Sequence, residues 1–271
     1  MAKIAILSGK GGTGKTFVAT NLARIAGKCT YLDCDVEEPN GNIFLNGPIT
    51  KTCDVTVKIP MVDKKKCDGC RECVSFCQFN ALAYLYDRIL VFKNICHNCG
   101  GCALVCPNDA ISYENIKVGE VTIGQYLDTM VVTGTMKVGT ESAVSTVATT
   151  LENAQPGLNI IDCPPGTACS VMEAIEDASY CIIVVEPTLF SYHNYLMVKE
   201  LLEKLKLPYG LVVNKDMEST VEYTDYVIAR IPYQKEIGML VASGKLAVEH
   251  SDEYKGIFMD ILDTLRREAN V

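Results

Sequence analysis

A glycine- and lysine-rich loop near the N-terminus limits the folds that this chain can adopt more than any other feature of its sequence. The loop reads Ser-Gly-Lys-Gly-Gly-Thr-Gly-Lys-Thr over residues 8–16 and contains the pattern Gly-x4-Gly-Lys-Thr. The apolar run at residues 4–7 predicts a short buried strand before the loop, and apolar residues at helical spacing over 17–26 predict a helix after it. A strand, this loop and a helix in that order are typical of a phosphate-binding loop in an α/β fold.

Each residue type in the loop has a physical role in holding phosphates. Glycines let successive backbone N–H groups curl around an anion without a Cβ in the way, and the helix N-terminus adds a positive end. Lys15 is expected to hold the β- and γ-phosphates of a nucleoside triphosphate, and the Thr16 hydroxyl is expected to bind Mg²⁺. The residues assigned to nucleotide binding in this loop are Gly9, Lys10, Gly11, Gly12, Thr13, Gly14, Lys15 and Thr16.

Polar side chains end three later apolar runs. Asp33 and Asp35 close the second predicted strand, Asp162 closes a later one, and Asn214 closes another. Carboxylates at the carboxyl ends of parallel strands, beside a phosphate loop, lie where Mg²⁺ and an attacking water must be handled. For Asp33 a structural role as a strand-end cap and a role in a metal site are equally open.

Two cysteine runs interrupt the alternation of strands and helices. Each reads Cys-x2-Cys-x2-Cys-x3-Cys, and the second begins 29 residues after the first. This spacing resembles bacterial ferredoxins with two [4Fe-4S] clusters, in which the fourth cysteine of each run binds the other cluster. Zinc is the alternative metal, although tetrahedral zinc sites favour two separated pairs of ligands. The pattern assigns Cys67, Cys70, Cys73 and Cys106 to one cluster and Cys96, Cys99, Cys102 and Cys77 to the other.

Composition limits the functional classes. The 14 cysteines, together with no visible signal peptide, favour metal binding in a reducing cytoplasm over a disulfide framework. A net charge of −8 argues against a nucleic-acid partner, because binding to a phosphate backbone needs a basic face. The absence of an uninterrupted apolar run of about 18 to 20 residues argues against a membrane span. A cytoplasmic protein with no membrane or nucleic-acid partner is therefore expected.

The rest of the chain alternates between strand and helix patterns, as expected for a parallel sheet covered on both faces. The alternation breaks between Asp35 and Asp162. We therefore predict a mostly parallel α/β P-loop NTPase domain formed by residues 1–56 and 116–271, with residues 57–115 inserted as a small α+β ferredoxin-like domain. After Asp162 the predicted helices lie near 171–178, 193–205 and 254–268, and the predicted strands lie at 181–185 and before Asn214.

The set of motifs resembles the MinD superfamily of P-loop ATPases with a deviant Walker A motif (SIMIBI class), here with an inserted ferredoxin domain. That superfamily includes ParA-like partitioning ATPases, Mrp-type iron–sulfur carriers and the nitrogenase iron protein. Lys10 stands where the superfamily has its signature lysine, which crosses a dimer interface to the partner's nucleotide. The resemblance therefore implies an ATP-sandwich homodimer, or a heterodimer with a paralogue; the alternative is that Lys10 is a solvated loop residue.

The same resemblance implies roles for the polar strand ends. Asp35 is expected to orient or deprotonate the attacking water, and Asp162 to contact Mg²⁺. Gly166 is expected to offer its N–H to the γ-phosphate, and Asn214 to recognise the adenine edge. The residues to which the resemblance assigns catalysis are Lys10, Lys15 and Asp35.

Three functional classes remain open on the sequence. The first is an Mg²⁺-dependent ATPase that couples a dimer switch, through two [4Fe-4S] clusters, to electron delivery to a partner redox protein. The second is an ATP-dependent assembly factor for iron–sulfur or metal cofactors, with an apoprotein or assembly protein as partner. The third, a positioning ATPase of MinD or ParA type, is less favoured because acidic residues offset Arg266 and Arg267 on the last helix, which then reads as a core-packing helix.

Cysteines near the phosphate-binding residues could sense redox state or hold a metal transiently. The favoured interpretation is that they are small buried apolar residues at strand ends. The cysteines concerned are Cys34, Cys163 and Cys169.

Overall fold

The structure is built around one large sheet, with helices on both faces. A computed structural model describes residues 1–217 and 221–269. The strands within those ranges are β1 (Ala2–Leu7), β2 (Thr30–Asp33), β3 (Ile49–Val62), β4 (Leu82–Leu85), β5 (Arg88–Val91), β6 (Ile111–Tyr126), β7 (Thr129–Met136), β8 (Leu158–Asp162), β9 (Tyr180–Val185), β10 (Tyr209–Asp216) and β11 (Val227–Pro232).

The helices connect and cover these strands. Short 3₁₀ turns lie at Lys93–Ile95 and Ala247–Glu249. The α-helices in the described ranges are α1 (Lys15–Ala26), α2 (Gly41–Phe44), α3 (Glu72–Phe76), α4 (Gly101–Leu104), α5 (Val144–Leu151), α6 (Cys169–Ile175), α7 (Leu189–Leu205), α8 (Lys235–Ala242) and α9 (Asp252–Glu268).

The strand order of the large sheet is β11-β10-β9-β1-β8-β2-β7-β6-β3. The pairings from β11 to β7 are all parallel, whereas β6 pairs antiparallel with both β7 and β3. The prediction of a mostly parallel α/β fold is confirmed. β1 lies in the middle of the parallel part, so the loop that follows it opens at the centre of the sheet's carboxyl edge.

The central strands are buried on both faces, as strands of a parallel sheet with helices on either side must be. Ile4 and Ile6 of β1 point into one apolar core, which α1 and α9 cover, and Ala5 and Leu7 point into the other. All four are fully buried. Because successive side chains of a strand alternate between the faces, an uninterrupted apolar run serves both cores.

The last helix, α9, packs on α1 directly behind the phosphate loop. Phe258, Ile261 and Leu265 are fully buried, and the Phe258 ring meets the Phe17 ring edge-on at 5.9 Å between centroids. The interpretation of α9 as a core-packing helix is therefore confirmed. Among residues 1–217 and 221–269, none of the helices combines the length and apolar character that a membrane crossing requires.

Two predicted helix starts need correction. α7 begins at Leu189 rather than near residue 193, because the Thr188 side-chain oxygen accepts the Ser191 N–H at 3.2 Å and so caps the helix four residues earlier. α6 spans Cys169–Ile175, two residues ahead of the predicted 171–178. Both helices thus begin closer to the carboxyl edge of the sheet than the apolar spacing alone indicated.

The break in alternation corresponds to a long antiparallel ribbon at one edge of the sheet. β3 and β6 pair from Ile49 opposite Gly124 to Val62 opposite Ile111, and the cysteine runs lie between them, in residues 63–110. The predicted boundaries at 57 and 115 fall inside β3 and β6. The ribbon was not predicted, because its strands carry many polar and exposed residues and lack the apolar runs of the central strands.

Candidate functional site

The phosphate loop connects β1 to α1, in the strand–loop–helix order that the sequence predicts. Gly12 and Gly14 have φ of +79° and +96°, the left-handed region that favours glycine. A Cβ on Gly14 would lie 2.2 Å from Asn214 Nδ2, so a larger residue there would displace the Asn214 side chain. The positive φ angles of the two glycines and the contact with the end of β10 therefore fix the backbone conformation of the loop.

A cavity of about 820 Å³ lies against this loop. Lys15 is 5% exposed, and its Nζ lies 3.8 Å from Asp35 Oδ2. The predicted site residues that line the cavity are Gly11, Gly12, Gly14, Lys15, Thr16 and Asp35. Residues of the segments after β7 and β8, which were not predicted as site residues, line it too: Ala143, Pro164, Pro165, Ala168 and Ser170.

The ends of β2 and β8 place two fully buried carboxylates side by side. Asp33 is in register with Asp162, and the Tyr31 hydroxyl donates to Asp162 Oδ2 at 2.9 Å. Within the described ranges, Oδ1 of each carboxylate is buried without a hydrogen-bond partner. A buried carboxylate oxygen without a donor, next to a phosphate loop, suits Mg²⁺ or a water held by that ion. Asp162, with the nearby Thr16, thus fits the predicted metal role.

Asp33 also has a structural contact. Its Oδ2 accepts the N–H of Gly41 at 2.9 Å and so fixes the start of α2. Burial raises the pKa of the Asp33 carboxyl well above its usual range, and the neighbouring Asp162 adds to that shift. The contact supports the strand-end interpretation of Asp33 without removing its free oxygen from the site.

Asp35 lies at the border of the cavity, partly exposed. Burial raises the pKa of its carboxyl to about 6; Lys15 opposes this shift and Asp162 increases it. Burial also raises the pKa of Asp162, although Lys15 and the hydroxyls of Thr16 and Tyr31 counteract it. A carboxylate whose pKa is about 6 is suited to accept a proton near neutral pH.

Lys10 contacts its own chain. Its Nζ lies 2.6 Å from Glu186 Oε2 and 5.2 Å from the centre of the Phe190 ring. Lys215 Nζ lies 2.6 Å from the other oxygen of Glu186 and donates to the Gly12 carbonyl at 2.8 Å. Burial raises the pKa of Glu186, but hydrogen bonds from the two lysines outweigh it and the net shift is downward. One carboxylate therefore joins the loop to the end of β10.

Two further predicted residues make backbone contacts with the loop. The Gly166 N–H donates to the Ser8 carbonyl at 2.9 Å, and Asn214 Nδ2 donates to the Thr13 carbonyl at 2.7 Å. Their predicted contacts with the γ-phosphate and the adenine remain predictions. In this structure the two groups tie the loop to β8 and β10.

A smaller cavity of about 170 Å³ adjoins Gly14 and Asn214. Its walls come from the end of β11 and the start of α8, and they are mainly apolar. These walls were not predicted, although the stretch at 227–231, apolar except for Arg230, and the following Pro232 could have indicated another strand and turn. The lining residues that were not predicted include Ile231, Pro232, Tyr233, Ile237 and Tyr254.

The cysteine segment repeats its backbone after 29 residues, as it repeats its sequence. Cys77 Sγ accepts the Ala81 N–H at 3.3 Å, and Cys106 Sγ accepts the Ala110 N–H at the same distance. The equivalent residues with left-handed backbone are Gly69 (φ +77°) and Asn98 (φ +54°), Arg71 (φ +68°) and Gly100 (φ +76°), and Asn80 (φ +53°) and Asp109 (φ +46°).

The cysteine thiols form much of this segment's small core. Burial raises the pKa of the Cys73 thiol, and further contributions come from the thiols of Cys102, Cys106 and Cys67. Burial likewise raises the pKa of the Cys102 thiol, which lies near Cys96 and Cys99. Apart from the contact between Cys73 and Cys102, these neighbours fall into the two ligand groups that the spacing predicts.

A mainly apolar cavity of about 350 Å³ lies beside the second predicted ligand group. Within residues 1–217 and 221–269, no three His, Cys, Asp or Glu side chains converge as ligands of a single metal ion. A cubane cluster does not require such convergence, because each thiolate binds a different iron atom. The donor set and the cavity fit a [4Fe-4S] cluster. The cysteines that line the cavity are Cys77, Cys96, Cys99 and Cys102.

The loop after β7 lies between the two sites. A cavity of about 210 Å³ is lined on one side by Cys96 and Asn98 and on the other by residues 137–142, and Ala143 lines the large cavity at the phosphate loop. The Met136 N–H donates to the Val36 carbonyl, directly after Asp35, at 2.8 Å. One short segment therefore contacts both the cysteine segment and the phosphate site.

Cysteines outside the two runs are mostly core residues. Cys34 and Cys163 are fully buried, and burial raises the pKa of both thiols well above the usual value. A buried thiol with a raised pKa is a weak nucleophile and a poor metal ligand. Cys169, at the start of α6, is exposed, so the interpretation as a buried apolar residue is wrong for this cysteine.

A mostly parallel sheet with a phosphate loop after its central strand is the architecture of a P-loop nucleotide-binding protein. The family described as CobQ/CobB/MinD/ParA nucleotide binding domain matches residues 4–248, and the chain belongs to that family. An uncharacterized protein of Methanocaldococcus jannaschii, MJ0578, is 29% identical over 271 residues, covering 97% of this chain and 96% of its own length.

Solved structures of similar fold include MinD proteins. The septum site-determining protein MinD of Pyrococcus horikoshii, complexed with Mg-ADP, superposes with a TM-score of 0.61 at 18% identity over 97% of this chain and 95% of its own. The cell division ATPase MinD of Pyrococcus furiosus has a TM-score of 0.59 at 18% identity, with 98% of each chain covered. At these identities the likeness establishes a MinD-like fold.

A separate similarity concerns a small part of the chain. An uncharacterized ferredoxin of Methanocaldococcus jannaschii, MJ0722, is 34% identical over 61 residues, which are 21% of this chain and 79% of that protein. The similarity is compatible with the interpretation of the two cysteine runs.

Proposed function

We propose that this protein is an Mg²⁺-dependent ATPase that couples a nucleotide-driven dimer switch to electron transfer towards a partner redox protein. The observation that carries the proposal is the shared framework of its two sites. β3 and β6, which lead into and out of the cysteine segment, are strands of the sheet that presents the phosphate loop. Continuous backbone therefore joins the two sites and offers a path by which a movement at one could reach the other.

The nucleotide half of the proposal is supported by the family and by the site. Lys15 would bind the β- and γ-phosphates, Thr16 and Asp162 would hold Mg²⁺, and Asp35 would accept a proton from the attacking water. The ion would neutralise the charge that develops on the phosphates. Two structural neighbours are consistent with this ligand: the Pyrococcus horikoshii MinD is an Mg-ADP complex, and a Cyanothece McdA variant is an ATP complex.

The redox half of the proposal rests on the cysteine segment, residues 63–110. The repeated backbone, the grouped thiols and the cavity beside the second ligand group support two [4Fe-4S] clusters. When bound, the clusters would accept and release single electrons. Backbone N–H groups that donate to Cys77 and Cys106 would tune the potentials, since hydrogen bonds to ligand sulfurs are one of the protein's means of doing so.

Iron analysis and EPR of the reduced, anaerobically purified protein test the redox half. We expect about eight iron atoms per chain and signals of two reduced [4Fe-4S] clusters. Stoichiometric zinc, or about four iron atoms, would contradict the assignment of two clusters.

Isothermal titration with ATP and Mg²⁺ tests the nucleotide half. Lys15→Ala removes a buried ammonium from the phosphate site, so we expect ATP to bind at least about 100-fold more weakly. Lys204→Ala removes an exposed lysine whose partner is Glu200 on α7, and it should bind ATP like the wild type. Unchanged binding in Lys15→Ala would contradict the proposed site.

Cluster retention distinguishes the proposal from an assembly factor. An electron carrier keeps its iron through many ATP turnovers, whereas an assembly factor can lose a cluster to an acceptor. We expect the iron content to stay constant during turnover in the presence of an apo-ferredoxin. Transfer of iron to that acceptor would favour the assembly role.

A further inference from the structure

Glu186 binds two lysines at the phosphate loop. Lys10 belongs to the loop, and Lys215 contacts it. The carboxylate oxygens of Glu186 lie 2.6 Å from Lys10 Nζ and 2.6 Å from Lys215 Nζ. The side chains of Lys10 and Glu186 are only 24% and 11% exposed. Charge-assisted hydrogen bonds at such distances, partly shielded from water, are stronger than an exposed surface ion pair.

The backbone of Glu186 is fixed from several directions. Its N–H donates to Ser191 Oγ at 2.9 Å, and its carbonyl accepts the Tyr223 hydroxyl at 2.6 Å. The loop opposite is fixed too, because the Ser8 hydroxyl donates to the Lys10 carbonyl at 2.7 Å. The backbones on both sides are thus held, and the part free to move is the long Lys10 side chain.

We propose that Glu186 is a positioning residue that holds Lys10 against its own chain until ATP-dependent dimerisation draws Lys10 to the phosphates of the partner. This inference rests on the proposed function, a nucleotide-driven dimer switch, and on the role at the dimer interface that the family resemblance implies for Lys10. Lys10 cannot bind Glu186 and a distant phosphate at the same time. Dimerisation must therefore break the contact between Lys10 and Glu186.

Lys215 lowers the cost of that release. When Lys10 leaves, Glu186 keeps Lys215 as its partner, and so no buried charge is left unpaired. Lys215 also donates to the Gly12 carbonyl, which keeps it near the loop in either state. Without Lys215, Lys10 would be the remaining lysine that contacts Glu186 among the described residues. The release of Lys10 would then cost more free energy, because it would leave the Glu186 carboxylate without that partner.

The proposal predicts opposite effects for the two neighbours of Lys10. Glu186→Gln keeps the shape and removes the charge, so the dissociation constant of the ATP-bound dimer should fall about tenfold, or by about 1.4 kcal/mol. Lys215→Met should raise that constant by a similar factor. A purely structural ion pair would weaken dimerisation, or leave it unchanged, in both variants.

The experiment is sedimentation velocity of the full cluster-containing chain with a non-hydrolysable ATP analogue, at analogue concentrations that saturate each variant. Glu200→Gln is the matched control, because it removes the carboxylate of an exposed pair with Lys204 on α7, and its dimer should match the wild type. Lys10→Ala should abolish the dimer both alone and combined with Glu186→Gln.

The outcomes separate the inference from the proposed function. If Lys10→Ala abolishes the dimer but Glu186→Gln fails to strengthen it, the positioning role is wrong and the proposed function stands. A dimer that persists in Lys10→Ala, or no dimer in any variant, overturns both. If Glu186→Gln does not fold, Glu186→Asp takes its place, because the shorter carboxylate keeps its charge but reaches Lys10 less well: stronger dimerisation supports the positioning role, and unchanged or weaker dimerisation overturns it.

Discussion

At the scale of single residues, the phosphate site is marked by three carboxylates that lie close together. Asp162 raises the pKa of both Asp33 and Asp35, and burial acts in the same direction on all three groups. A site of this kind favours a bound cation and disfavours its own negative charges when folded. Ionisation of these carboxylates therefore lowers the stability of the folded state.

Asp35→Asn should reveal this cost. The folded pKa of Asp35 is about 6, above the unfolded value near 3.9, so the native state binds more protons between these pH values. Stability must then fall as the pH rises through that window. We expect Asp35→Asn to increase the free energy of unfolding by about 1 to 3 kcal/mol at pH 8 and to give almost no increase at pH 4.

Urea denaturation of the two proteins at both pH values measures this difference. Asp260→Asn, an exposed position on α9, serves as the control and should change stability little at either pH. The same Asp35→Asn variant should lose ATP hydrolysis and accumulate an ATP-bound dimer. A variant that is less stable than wild type at pH 8 would contradict the electrostatic account.

At the scale of elements, the packing of α9 on α1 supports the phosphate loop from behind. Phe258→Ala should lower the free energy of unfolding by about 3 to 5 kcal/mol, because it removes a fully buried ring that contacts Phe17 of α1. Met259→Ala, at a neighbouring position that is 49% exposed, should cost little. Urea denaturation compares the two, and similar losses in both would contradict the packing described for α9.

The ribbon of β3 and β6 allows a direct test of whether the cysteine segment is an insertion that the rest of the fold does not need. The Asp63 N–H donates to the Ala110 carbonyl at 2.8 Å, directly beyond the pair of Val62 and Ile111, so a two-residue Asn-Gly turn can replace residues 64–109 and close the hairpin. We expect the shortened chain to fold, to bind ATP within a few-fold of wild type and to contain no iron. Circular dichroism, titration with ATP and iron analysis measure these properties, and loss of folding would show that the segment is integral to the ATPase core.

The elements that sequence analysis found are those with strong apolar patterns. β1, α1 and α9 were located within a few residues, because their burial demands uninterrupted or helically spaced apolar side chains. β3 and β6 escaped notice since an edge ribbon leaves many side chains in water. α7 was placed four residues late because its start depends on the Thr188 cap rather than on apolar spacing.

At the scale of the whole molecule, the sequence located the components of the site but could not reveal how they contact one another. Lys15, Thr16 and Asp35 line one cavity as the motifs imply. The contact of Lys10 with Glu186 joins residues 176 positions apart, and no local pattern encodes it. The smaller cavity beside Asn214, at β11 and α8, was missed as well, since its walls are ordinary apolar residues.

The whole molecule also links its two sites through the segment after β7. Residues 137–142 line a cavity with Cys96, and Met136 is bonded to Val36 beside Asp35. Under the proposed function, we expect a change at either site that shifts this segment to alter the free energy of the other, by about 1 to 3 kcal/mol for a coupling of ordinary size. By linkage, the effect of the redox state on ATP affinity equals the effect of ATP on the redox equilibrium.

The dissociation constant for ATP, measured by titration under anaerobic conditions on oxidised and on dithionite-reduced protein, tests most directly whether nucleotide and redox chemistry are coupled. We predict a difference of about 5- to 150-fold between the two redox states, and a shift of the cluster potentials by roughly 40 to 130 mV when a non-hydrolysable analogue is bound. The chain in which a turn replaces residues 64–109 should bind ATP identically with and without dithionite. Equal dissociation constants in the oxidised and reduced full-length protein, with unmoved potentials, would contradict the coupling.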